Sequence, residues 1–252
     1  MPPLTLALLA AASFAAGLVD AIGGGGGLVT VPALLAAGLP PHAVLATNKG
    51  QAVFGATASA LSFWQKGAVD RDRAPLAFAA GFIGSWLGAR GVLAVPVGPL
   101  RVIVMVLLLC AAAILLARRQ APGVPRRLSR GAARATLIAI SLALGAYDGF
   151  FGPGTGSLLV IAFATVFGDP LTRASGNAKI VNLASNLAAM TLFASRGAIL
   201  WQVALPMAAA NALGAATGAS LAIKNGDRLV RAVVLLVVLA VVVKLAVDLA
   251  RA

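Results

Sequence analysis

The sequence predicts an all-α polytopic membrane protein built from two homologous halves. Each half has five helical segments, four long and one short after a Gly-rich break, and the halves are expected to be inverted repeats. Composition, the lengths of the apolar runs and an internal repeat lead to this reading. Of 252 residues, 60% are hydrophobic and 11% charged, and the mean hydropathy is +0.97; a soluble domain carries nearer a quarter charged residues. The 20 Lys+Arg against 7 Asp+Glu leave a net charge of +13. Most of these cations stand in short gaps between apolar runs, which argues against nucleic acid as a partner. Cys110 is the single cysteine and His42 the single histidine. That removes a disulfide framework, a zinc cluster and most nucleophile–histidine catalysis, so no metal and no cofactor is expected.

A helix needs about 20 apolar residues, at roughly 1.5 Å each, to cross a bilayer core of about 30 Å. The runs Leu4 to Ile22, Ala43 to Gln65, Ala74 to Leu93, Leu100 to Ala117, Ala132 to Phe151, Ala178 to Ser195, Leu200 to Ile223 and Leu229 to Leu249 are long enough or nearly so. Leu28 to Leu39 and Ser157 to Phe167 are too short for an ordinary span. The first run is read as a retained helix and not a signal peptide, because Met1-Pro2-Pro3 lacks a basic leader and cleavage near Ala21 would discard Asp20.

The chain also repeats itself. Gly17-Leu-Val-Asp20 aligns with Gly145-Ala-Tyr-Asp148 at an offset of 128. After a two-residue insertion the offset holds at 130, matching Lys49 with Lys179, Phe63 with Phe193, Gly84 and Gly88 with Gly214 and Gly218, and Arg101 with Arg231. Chance does not hold one register over half a chain. The domains are therefore expected at 1–118 and 131–252, joined by a basic linker at 119–130. That linker is expected to be cytoplasmic by the positive-inside rule. If the short segments cross, there are ten spans and inverted repeats; if they dip and return, eight spans and parallel repeats. With ten, Lys66, Arg71, Arg73, the linker arginines, Arg173, Lys224, Arg228 and Arg231 share the inner side, the better charge asymmetry.

Candidate chemistry gathers at the two breaks, Gly23 to Gly27 and Gly152-Pro-Gly-Thr-Gly156. Non-helical backbone at membrane depth survives only where it is buried in protein or lines a cavity, and Gly/Pro interruptions at matching places in two halves point to a transporter's binding site. Gly24, Gly25, Gly26 and Gly27, with Gly154, Thr155 and Gly156, would offer free N–H groups and the positive end of a helix dipole to an anion. The competing reading is that these glycines only allow close packing. Nearby stand Asn48, Lys49 and Gln51 in one half and Asn177, Lys179 and Asn182 in the other. Buried cations and amides in hydrocarbon are costly and are default functional candidates, here suited to closing around an oxyanion. The lysines could instead snorkel to an interface or form structural bridges to Asp20 or Asp148. Those aspartates are the candidates for coupling to a proton or Na+. Asn186, Asn211 and Asn225 have no comparable polar counterpart in the other half and read as packing or loop residues. Gly84-x-x-x-Gly88 and Gly214-x-x-x-Gly218 fit close helix contact.

Enzymatic readings fail on motif. Tyr147-Asp148 has the flavour of an intramembrane aspartyl protease, but Asp20 follows Leu18-Val19 where that chemistry needs a Gly-x-Gly-Asp element. Gly152 to Ser157 lacks the Gly-Lys-Ser/Thr ending of a phosphate loop. The expectation is therefore not an enzyme.

At these residues the chain resembles the sulfite exporter TauE/SafE family, also called the toluene-sulfonate uptake permease family. The resemblance rests on Asp20-Ala-Ile-Gly-Gly-Gly-Gly-Gly27, Pro32, Gly38-Leu-Pro-Pro41 and Ala46-Thr-Asn-Lys49, then on Asp148 to Gly156 and Gly176-Asn-Ala-Lys-Ile-Val-Asn182. It covers essentially the whole chain and implies a multi-pass permease of the bacterial inner membrane for sulfite, sulfonates or sulfonated organic acids. Asn48, Lys49, Asn177, Lys179, Asn182 and the glycines fall on its motif positions. The all-glycine first break departs from the small hydroxylated or alanine residue expected in relatives. The mechanism expected is alternating access around an anion between the breaks, with the lysines neutralising it and the amides orienting it; the alternative is an anion channel using the same residues as a selectivity constriction. A monoanion leaving an inside-negative cell gains about 2.3 kcal/mol per 100 mV, so uncoupled export is the simpler direction.

Overall fold

The computed structural model describes the backbone over 1–100, 102–104, 106–107 and 128–250, and side chains as far as Gly226 and at Leu229. Among these residues there are helices and no strands. The helices are α1 (Pro3–Gly23), α2 (Gly27–Ala36), α3 (Pro41–Gln65), α4 (Ala74–Leu93), α5 (Arg130–Phe150), α6 (Thr155–Val166), α7 (Leu171–Ser195) and α8 (Trp201–Ala250). A further helical stretch starts at 97. The long run Leu100 to Ala117 and the basic linker fall mostly outside the described residues.

The boundaries obey local chemistry. The φ of proline, preset near −65°, suits a first turn; Pro41 opens α3 after its N-cap Pro40, and Pro170, the counterpart of Pro40, caps α7. The Ser129 side chain accepts the Ala132 N–H at the start of α5. Gly226, at φ 65°, interrupts α8 between the two apolar runs expected there.

Contact register gives the helix directions. Phe14 meets Gly214 and Leu18 meets Gly218, so α1 and α8 run the same way. Gly50 meets Ala204 and Gly55 meets Asn211, which adds α3 to that set. Gly84 meets Leu142, Gly88 meets Ala146 and the Ser85 hydroxyl donates to the Ser185 carbonyl at 2.6 Å, so α4, α5 and α7 run together. Phe63, near the end of α3, touches Gly176 near the start of α7, while Thr47 binds Leu200 just beyond the end of α7; the two sets are antiparallel. A methyl group on Gly84, Gly88, Gly214 or Gly218 would overlap a carbonyl oxygen of the facing helix, so these crossings need glycine.

Two apolar cores result, one toward each end of the bundle. One contains Leu137, Leu159, Phe63, Val69, Ala174 and Ala77. The other contains Leu9, Val31, Phe193, Ile199, Val44 and Met207, which are the counterparts of those residues in the other half. Polar side chains fill the level between them: Asn48, Lys49, Gln51, Asp148 and Lys179 are buried, whereas Leu8, Leu61, Ile83, Leu87, Leu205 and Leu213 face outward. Apolar outside with charge inside is the reverse of a soluble protein and fits lipid as the surrounding medium. Among the described residues, α1 and α4 are long and apolar enough to cross a membrane by length and composition. At 25 residues each, α3 and α7 are longer; α3 buries Thr47, Asn48, Lys49 and Gln51, and α7 buries Asn177, Lys179, Asn182 and Asn186.

One end of the bundle carries a charged clasp. Arg73 Nε donates to Asp70 Oδ2 at 2.6 Å and Nη2 to Asp169 Oδ1 at 2.7 Å. Burial pushes the Asp70 carboxyl up, but the hydrogen bond and charge of Arg73 and the backbone N–H groups of Arg73 and Asp72 hold it below the ordinary carboxylate value. The opposite end has no charge at the matching position: the Leu200 N–H donates to Thr47 Oγ1 at 3.2 Å.

Candidate anion site between the two helix breaks

The breaks meet. The Ser157 hydroxyl donates to the Gly23 carbonyl at 2.9 Å, and Gly24, at φ 79°, lies so close to Gly156 and Ser157 that a Cβ there would overlap their backbone. This contact fixes the starts of α2 and α6 against each other at mid-bundle, beside a shared cavity.

That cavity encloses about 40 Å³, room for roughly three waters. Its wall includes Gly25, Gly26 and Gly27 of the first break, Gly152, Gly154 and Gly156 of the second, and Asn48, Lys49, Gln51 and Ala52 of α3. Asp20, Asp148, Asn182, Asn186 and Asn211 complete it. Eleven of the fifteen expected binding and coupling positions therefore converge on one cavity from distant parts of the chain.

Four do not line it. Gly24 is the packing contact between the breaks, and Thr155 turns its hydroxyl onto the Gly152 carbonyl at 2.8 Å. Asn177 is at the charged end, where Nδ2 donates to Asp169 Oδ2 and Oδ1 accepts the Asp70 N–H, both at 2.8 Å. Lys179 is fully buried behind the wall and reaches the cavity only through its partner Asp20.

The lysines and aspartates form two crossed ion pairs, each joining one half to the other. Lys49 Nζ lies 2.9 Å from Asp148 Oδ1, and Lys179 Nζ lies 2.6 Å from Asp20 Oδ2. Each carboxylate has a second partner: Asp148 accepts from the Ser185 hydroxyl, and Asp20 Oδ1 accepts the Gly26 N–H at 3.1 Å. Unpaired charges at this depth would be untenable, and the reciprocal pairing satisfies all four.

The amides are held just as firmly. Asn48 Oδ1 accepts from Thr30 Oγ1 at 2.6 Å and from Gln51 Nε2 at 3.1 Å, so the edge it presents to a guest is its N–H donors. Ser13 fixes Gln51, its hydroxyl lying 2.8 Å from Oε1, and Asn211 Nδ2 donates to the Ser13 carbonyl at 3.0 Å. Asn182 Oδ1 is buried without a partner among the described residues. The sequence marks Asn186 and Asn211 as packing residues, yet both reach the cavity. For Asn186 a signal existed: Lys179, Asn182 and Asn186 keep to the 3.6-residue period of one helix face. Asn211 had none, because only the α1–α8 crossing brings it inward.

The profile described as sulfite exporter TauE/SafE matches residues 9–245. A "Probable membrane transporter protein" of Haemophilus influenzae is 38% identical, covering 96% of this chain and 95% of its own length. The "Probable membrane transporter protein YfcA" of Escherichia coli K12 is 36% identical over 98% of this chain and 91% of its own. No solved structure matches the chain. With the breaks, the crossed ion pairs and an outward apolar surface in place, these matches identify the chain as a membrane protein of the TauE/SafE sulfite exporter family.

Proposed function

We propose that the chain is a secondary transporter, and not an enzyme, for small sulfur-containing anions such as sulfite, sulfonates or sulfonated organic acids. It works by alternating access at the cavity between the breaks and exports when the cytoplasm is the anion-rich side. The observation that carries this reading is the convergence, on one small cavity, of two helix starts, amide donors and a lysine, with a second lysine one carboxylate away. N–H donors and cations in a largely buried site suit an oxyanion.

The domains are two inverted repeats in the inner membrane, with the linker cytoplasmic. Support comes from the helix directions, since each helix of one half runs opposite to its counterpart, α1 against α5, α3 against α7 and α4 against α8. Such a pair of repeats can exchange conformations about a central site, rocking around the contact between the breaks. Apolar cores above and below the cavity favour this over an open channel, whose constriction would need a wet path on both sides.

The test is trans-stimulated exchange of labelled sulfite or methanesulfonate in proteoliposomes. Saturable exchange is expected, and Lys49→Ala and Lys179→Ala should each abolish it while the purified protein still elutes as a folded species. Flux that survives both changes would remove the site assignment; unsaturable flux without counterflow would indicate a channel.

A further inference from the structure

We propose that Asp20 is the proton-binding group of an electroneutral carrier that moves one proton with each monoanion. The inference rests on the anion-transport reading and adds what the site must do to admit its guest. Lys49, Lys179, Asp20 and Asp148 sum to zero charge, and both lysines are already paired. A monoanion entering this quartet would either leave a net negative charge in a low-dielectric site or have to displace a carboxylate from its lysine. A proton on one carboxylate removes the difficulty: the quartet becomes +1, one lysine charge is left uncompensated beside the cavity, and the loaded site returns to zero.

The two carboxylates are not equivalent for this purpose. Asp148 is enclosed, with 5% of its side chain accessible and both oxygens taken by Lys49 and the Ser185 hydroxyl. Asp20 lines the cavity with 28% of its side chain accessible. Its partners are Lys179 from α7 and the Gly26 N–H from the break, with Gly156 of α6 alongside; Lys49 and Asp148 are the other charged groups on the cavity wall. Protonating Asp20 breaks one ion pair beside the cavity and frees Lys179. The proton comes from water on the loading side, stays on the Asp20 carboxyl while the anion is bound, and leaves to the opposite side when Lys179 reclaims the carboxylate. Na+ is the poorer occupant, because both Asp20 oxygens already face N–H donors where that ion needs a shell of oxygens.

This stoichiometry changes the energetics. With no net charge moved, the membrane potential neither drives nor opposes transport. Export then runs down the anion's own gradient, and an alkaline interior favours uptake.

The experiment uses the full chain in proteoliposomes, with methanesulfonate, whose sulfonate carries no titratable proton, and with sulfite. A trapped pH dye should report one proton per methanesulfonate. A potential able to accumulate a free monoanion about tenfold should leave the distribution of either anion unchanged. Asp20→Asn should lose proton movement and make the net flux that remains respond to the potential; protons still moving one for one in Asp20→Asn would overturn the assignment to Asp20. Should Asp20→Asn not fold, the wild-type ratio and potential response decide alone. Anion flux without protons, flux that tracks the potential, or flux that requires Na+ would overturn the coupling and leave the transporter standing. No flux of either anion would overturn both.

Discussion

The two half-sites share one backbone plan and differ in how tightly each aspartate is held. In the second half Asp148 is clamped between Lys49 and the Ser185 hydroxyl. The matching position in the first half is Gly55, which has no hydroxyl to offer and faces the Asn211 side chain, and Asp20 accepts from the Gly26 amide. The breaks differ as well. Gly24 is pressed against the backbone of Gly156 and Ser157, whereas its counterpart Gly152 faces the flexible end of Lys49. The two aspartates thus differ in openness: Asp148 is held on both oxygens within the bundle, while Asp20 borders the cavity with more of its side chain accessible.

The largest break in this comparison comes from the glycines. Gly24→Ala meets immovable backbone at a left-handed φ and should yield no folded protein. Gly152→Ala, at φ 97° with Lys49 Nζ 3.0 Å from the added Cβ, should cost about 1–2 kcal/mol of strain and slow transport while the protein still folds. Expression and size-exclusion profiles separate the two.

Next come the lysines, replaced by methionine to keep their stem volume. Lys49→Met strands the enclosed Asp148 and should cost about 3–5 kcal/mol. Lys179→Met strands the more accessible Asp20, which the cavity can hydrate, and should cost less; thermal midpoints in one detergent give the order. Equal losses would mean that the difference in accessibility has no energetic weight. Ser185→Ala should cost about 1.5–3 kcal/mol, the range for a hydrogen bond to a charged group, read as a lower thermal midpoint in the same detergent.

The smallest effect is at the ends. Asp70 is held below its ordinary value in the folded protein, so its contribution is complete above about pH 4 and is lost as pH falls through the folded value. Asp70→Asn should lower the midpoint at neutral pH slightly and flatten its acid dependence, an effect the uncharged Thr47–Leu200 contact cannot show.

Much of the fold was legible in the chain. The run Ala74 to Leu93 coincides with α4, and both breaks fall where glycine forbids a continuing helix. The crossed ion pairs were legible only as alternatives, since Lys49 and Asp148 lie in different halves and no local pattern says which lysine meets which carboxylate. Asn177 carries a motif residue type yet serves the charged end. It stands two residues before Lys179, about 200° around the helix, which turns it toward the loop holding Asp70.

Short-range chemistry was enough to outline the elements: apolar runs mark the helices, and glycine and proline end them, although α7 starts at Leu171, seven residues before the apolar run at Ala178. Everything that depends on two helices meeting was left to the tertiary structure. The crossing of α1 and α8 brings Asn211 to the cavity, the contact of Gly24 with Gly156 joins the two breaks, and helix packing leaves Asp20 open while Asp148 is closed. Those outcomes rest on contacts between residues more than a hundred positions apart, where local propensity has no reach and only the summed packing of the bundle selects the partner.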